Sequence, residues 1–191
     1  LFRSVAAGAF ALAPGSADSA LLLDLAPGAY TAQVSGDNSA AGVALVEAYE
    51  TAPDSGHFVN ISTRAPVGTG ANILIGGLIV GGSQPSQVLI RAVGPGLASF
   101  GISGVLAQPV LSIYNAVGQL VAVNIGWSNG GSADAVALAA AATKTGAFPL
   151  QPGSEDSALL LTLAPGAYTA QVSGANDSTG IALVESYQVP Q

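Results

Sequence analysis

Few residues in this chain are of a type that could do chemistry. There is one histidine, His57, and there is no cysteine or methionine. Acid–base or nucleophilic catalysis needs a base placed against a nucleophile and held by a third group. No Gly-x-Ser-x-Gly elbow, phosphate loop or His-Glu-x-x-His pattern accompanies His57. Gly68-Thr69-Gly70 starts like a dinucleotide-binding Gly-x-Gly-x-x-Gly, but Ile73 stands where the last glycine belongs, so a turn is expected. Without cysteine there is no disulfide framework, zinc–thiolate site or thiol catalysis. The expectation is a chain that is not an enzyme and needs no metal or cofactor.

The acids read structurally. Glu155-Asp156 is followed by no alternating Asp/Asn ladder of the calcium-loop type, and the earlier equivalent is Ala17-Asp18. Asp18 and Asp156 are therefore expected to bond turn amides ahead of a strand. Asp37-Asn38 and Asn176-Asp177 suit hairpin turns. The charges that demand an explanation are Glu47 and Glu185, each inside an apolar strand, together with Arg64 and Arg91 in apolar surroundings. A buried carboxylate without a partner is costly. The reading is that an arginine of the middle segment pairs with a glutamate and sets the strand register. The alternative places both glutamates at strand ends in solvent.

The elements that must position these groups are organised by a duplication. Gly8 to Glu50 aligns without gaps on Gly146 to Gln188, with 32 of 43 positions identical. Thr51 to Gly146 occurs once. Within the first copy, Ser19 to Leu25 and Tyr30 to Ser35 flank Ala26-Pro27-Gly28-Ala29, which reads as a hairpin. Leu21, Leu23 and Leu25 share one face, and so do Tyr30, Ala32 and Val34 of its partner. Gly42 to Tyr49 is apolar on both parities, as a central strand covered on both sides would be. The middle segment offers strands at His57–Thr63, Asn72–Val80, Gln87–Val93, Pro109–Asn115 and Leu120–Asn124, and an Ala-rich helix from Ser132 to Lys144. Leu1 aligns with Ala139 inside that helix, so the chain reads as starting mid-repeat.

Five strands of the middle segment and three of one copy make about eight, enough for an all-β antiparallel sandwich or jelly-roll-like repeat with one short helix. One copy alone buries a single face of three strands. Each fully buried Leu contributes only ~1.5–3 kcal/mol, whereas ordering backbone costs ~1–2 kcal/mol per residue. The organisation expected is a partial repeat over 1–50 and a complete sandwich over 51–191. The surplus copy then needs a partner: a shared enlarged middle segment, a neighbouring subunit, or a longer native chain.

Composition narrows the partners. Only 8% of residues are charged, half are apolar, and Arg3, Arg64, Arg91 and Lys144 face 11 acids for a net charge of −7. Nucleic acid, which needs clustered cations, is excluded, as is an anionic membrane surface. The most apolar stretch, Ala71 to Val80, interrupted by Asn72, is too short to cross a bilayer. A surface this poor in charge suits contact with copies of itself. Abundant Gly, Ser and Thr with no Cys point outside the cytoplasm.

Asn60-Ile61-Ser62-Thr63-Arg64, Val67-Gly68-Thr69-Gly70 and Val88-Leu89-Ile90-Arg91-Ala92-Val93-Gly94-Pro95, with the repeated Leu-Ala-Pro-Gly-Ala-Tyr-Thr-Ala-Gln-Val-Ser-Gly, form a set. Together they resemble the repeat domain of large secreted or surface-displayed bacterial proteins. The resemblance implies extracellular, multi-copy β domains and carries no catalytic residues. The turn that often reads Asn-Asp-Asn-Trp in that family is Asn124-Ile125-Gly126-Trp127 here, without the acid. The function expected is a structural subunit of an extracellular bacterial filament or surface assembly, self-associating through strand edges and the surplus half-repeat. The alternative is a non-catalytic carbohydrate-binding or adhesion module, for which Trp127 is the main aromatic candidate.

Overall fold

The computed structural model describes residues 8–51 and 56–190, and the chain divides into two units, Leu1–Phe58 and Val59–Gln191. The second unit is built from β1 (Asn60–Val67), β2 (Leu74–Val80), β3 (Ser86–Val93), β4 (Pro109–Asn115), β5 (Leu120–Ile125), α1 (Ser132–Thr145), β6 (Ser157–Leu163), β7 (Gly166–Gly174) and β8 (Gly180–Gln188). The strands form two four-stranded antiparallel sheets, in the orders β1-β8-β3-β6 and β2-β7-β4-β5.

Alternation along the strands explains the layering. Val88, Ile90 and Ala92 of β3 meet Leu111 and Ile113 of β4, Val172 of β7 and Val184 of β8 in one core between the sheets. The opposite parity of β3 is covered as well. Leu89 packs with Leu138, Ala141 and Ala142 of α1 and with Trp127. A strand buried on both faces reads as a continuous apolar run, which is why Val88 to Val93 has no polar alternation beyond Arg91. The helix ends as expected, with Lys144 in its last turn and Gly146 left-handed at φ 73°.

The second copy of the repeat supplies β6, β7 and β8. The faces agree with the period-2 reading: Leu159 and Leu161 pack against the intersheet core, while Leu163, Ala170 and Val172 lie within it. β8 is central, between β1 and β3. The hairpin expectation fails. β6 pairs with β3 in one sheet and β7 with β2 and β4 in the other, so Ala164-Pro165 carries the chain across the sandwich. A Pro-Gly reversal sets chain direction but not the pairing partner, and here each strand pairs with strands of the middle segment instead.

The first copy behaves differently, and three expected strands are corrected. Ser19–Leu25, Tyr30–Ser35 and Gly42–Tyr49 form no strand, and none of the described residues 8–51 is buried. Only a 3-10 turn at Asp37–Ser39 is regular. A β-strand satisfies its backbone through another segment, so the same sequence without that segment stays open. In the middle segment, β1 begins at Asn60 rather than His57 and runs through Arg64. The alignment of Leu1 with the helix lies outside the described residues.

Close approaches identify where the second unit tolerates no side chain. A Cβ on Gly94 would sit 2.1 Å from the Leu106 carbonyl oxygen, while one on Gly77 would meet nothing within 4 Å. Gly94→Ala is expected to lower the unfolding free energy by at least about 1–3 kcal/mol, as overpacking does. Gly77→Ala should stay within about 0.5 kcal/mol. Urea melts of the two variants check both values.

Candidate functional site

The chemistry of the second unit is concentrated where the repeated segment seats on the middle segment. Antiparallel register puts Arg91 of β3 directly across from Glu185 of β8. Both lie on the face that α1 covers, and their side chains are only 1% and 5% exposed. The Arg91 Nε donates to Glu185 Oε2 at 2.8 Å and its Nη2 donates to the same oxygen. Nη1 donates to the Phe148 carbonyl at 2.5 Å. The other carboxylate oxygen accepts the Tyr187 hydroxyl at 2.8 Å. The guanidinium lies 4.3 Å from the Phe148 ring centre, and Phe100 meets Phe148 edge-on at 4.9 Å. Each charged group is thus paired and hydrogen-bonded, which is the condition for keeping it out of water.

Three further anchors hold the repeated segment. Asp156 is fully buried, and its Oδ1 accepts the Gly94 and Gly96 amides at 2.9 and 3.1 Å while the Ser154 hydroxyl donates to Oδ2 at 2.8 Å. It does bond turn amides, but those of Gly94-Pro95-Gly96, far away in sequence. Ser157 donates to the Pro109 carbonyl at 2.7 Å, and Asn124 Oδ1 accepts the Ala158 amide at 3.1 Å. Lastly, Ile181 N–H donates to the Gly104 carbonyl and Leu106 N–H to the Ile181 carbonyl, both at 2.8 Å. The run Val88 to Pro95 therefore supplies two of the four anchors.

Of the four charges singled out from sequence, the structure brings together Arg91 and Glu185. Arg64 lies on the edge strand β1 opposite Leu183 and is exposed, with no ion pair among the described residues. Glu47 is exposed too and accepts the Tyr49 hydroxyl at 3.0 Å, repeating the Tyr187–Glu185 bond without an arginine. Tyr187 and Phe148 were not anticipated. The available signal was their identity with Tyr49 and Phe10 in the first copy. Trp127 is buried with α1, and its indole N–H donates to the Gln151 carbonyl at 3.1 Å, so it presents no stacking face to a sugar.

No family model and no curated protein matches this chain.

Arg91→Ala should lower stability by about 3–5 kcal/mol, because it leaves a carboxylate buried alone. Arg64→Ala should stay within about 0.5 kcal/mol. Chemical denaturation compares the two. Burial first, then the Glu185 charge and the hydrogen bond to it, raise the Tyr187 hydroxyl above its ordinary 10.0, with Arg91 opposing. The folded state thus holds that proton more tightly than the unfolded chain. The resulting stability is fully present below pH 10.0 and is lost as pH climbs toward the raised value. Denaturation midpoints at increasing alkaline pH should fall more steeply for the native chain than for Tyr187→Phe.

Proposed function

We propose that this chain is a structural, non-catalytic building block of an extracellular bacterial filament or surface assembly. It associates with copies of itself through β-strand pairing, with the first copy of the repeat as connector. The observation that carries this reading is the apolar surface of that copy. Leu21, Leu23, Leu25, Val34, Leu45 and Val46 are each more than half exposed. Their counterparts in the second copy lie in or against the core, or are half-buried. A concentration of exposed apolar side chains of this kind marks an interaction surface, and an extended segment with unpaired backbone is suited to strand addition.

The unit that would be assembled is a jelly-roll-like repeat. The sheet orders β1-β8-β3-β6 and β2-β7-β4-β5 support that reading, since eight strands in two sheets, with every connection but β4–β5 passing between them, is the pattern of that architecture. The motifs quoted from sequence support placing it among the repeat domains of secreted and surface-displayed bacterial proteins. The low charge supports close contact between copies. Among the described residues, no helix is long and apolar enough to cross a membrane. Burial of Trp127 favours assembly over a sugar-binding module.

Removing Leu1–Glu50 should leave a folded monomer, because the second unit holds its own core, while the full chain associates with rising concentration. Light scattering and negative-stain imaging of both proteins test this. Polymerisation of the shortened chain to the same extent would rule out the first copy as connector.

A further inference from the structure

The two copies differ at 11 of 43 aligned positions, and every difference falls where the second copy is exposed or half-buried. Each residue buried in the second copy has an identical counterpart in the first. This includes the polar ones: Asp18 for Asp156, Ser19 for Ser157 and Glu47 for Glu185. Glycine behaves the same way. A Cβ on Gly180 would sit 2.6 Å from the Leu106 amide nitrogen, whereas its counterpart Gly42 has nothing within 4 Å to require a glycine. A segment whose working state is solvated has no physical use for a carboxylate, a hydroxyl and a glycine placed for Arg91, Pro109 and Leu106.

Three local features of the second copy recur in the first. Tyr30 donates to the Ala26 carbonyl at 2.8 Å, as Tyr168 does to Ala164 at 3.0 Å. Asn38 and Asn176 share a left-handed conformation at φ 49° and 53°. The Tyr49–Glu47 bond presents the carboxylate as Tyr187 presents that of Glu185.

We infer that residues 59–145 form an acceptor that recognises the repeated segment as a ligand, and that the first copy is a second ligand for the same seat. Arg91 reads the glutamate, the Gly94 and Gly96 amides read the aspartate, the Pro109 carbonyl reads the serine, and the backbone at Val105–Leu106 admits only glycine. Chain connection permits the exchange. β8 runs beside β1 with Tyr187 across from Asn60. Its counterpart Tyr49 precedes Asn60 by eleven residues in the same chain, ample to join neighbouring strands about 5 Å apart. This deepens the reading above by naming the surface that the connector fits, and rests on it only in treating the first copy as a docking segment.

The test is hydrogen–deuterium exchange with mass spectrometry on the full chain, at a dilution where light scattering shows monomer. The differing positions let peptides of the two copies be told apart by mass. Glu185→Arg sets a like charge against Arg91 and expels the second copy while Glu47 remains. Peptides within residues 19–49 should then exchange more slowly than in the native chain by on the order of a hundredfold, and those within 157–188 should lose protection. With Glu47→Arg added, both copies should exchange freely. First-copy peptides unchanged in Glu185→Arg, or a second unit that unfolds outright, would overturn the inference. Exchange of copies without concentration-dependent association in the native chain would instead remove the assembly reading and leave this one standing. Association without exchange would do the reverse.

Discussion

The buried pair between Arg91 and Glu185 is the constraint around which the second unit is organised. A guanidinium in the middle of a strand covered on both faces is tolerated only if a carboxylate arrives opposite it. That carboxylate belongs to β8, 94 residues later in the chain. Moving β8 by one residue would send Glu185 to the intersheet core and Val184 to Arg91, so the pair excludes the alternative register. Its contribution is specificity of pairing more than net stability, since an apolar pair of similar volume could fill the same space. Asp156 acts in the same sense at the end of β3. It satisfies two amides of the Gly94-Pro95-Gly96 turn and ties the entry of β6 to the exit of β3.

These contacts make the middle segment and the repeated segment mutually dependent. Both sheets mix strands of each origin: β8 and β6 enclose β3, and β7 separates β2 from β4. Neither part has a core of its own, because the intersheet cluster draws on both. Under the exchange inferred above, whichever copy brings the right carboxylate, aspartate, serine and glycine would close the sandwich.

The duplication is also an internal control on what local sequence can do. Nearly the same residues appear once as three strands and once without a strand. The contacts they share are those made within a few residues: the tyrosine-to-carbonyl bond, the left-handed asparagine and the tyrosine–glutamate bond. Those that the second copy makes with β3, the Pro109 carbonyl and the Leu106 backbone are long-range and absent from the first. Strand pairing needs a second segment to receive its N–H and C=O groups, and apolar burial needs a facing sheet.

Strand positions in the middle segment, the helix with its glycine stop and the faces of β6 and β7 could be read from sequence, because period-2 and capping signals are local. Pairing a buried arginine with a glutamate of the repeat could be framed as well, since charge inside an apolar run demands a partner wherever it lies. Which arginine could not be decided. Arg64 and Arg91 look alike in sequence, and only the placement of β1 at an edge and β3 under α1 separates them. The apparent Pro-Gly hairpin was misleading for the same reason, as a turn fixes direction and not partner. By itself the sequence determined the periodicity, the duplication and the need for a counter-charge. Tertiary structure decided which segments meet, because burial and strand pairing depend on residues far apart in the chain.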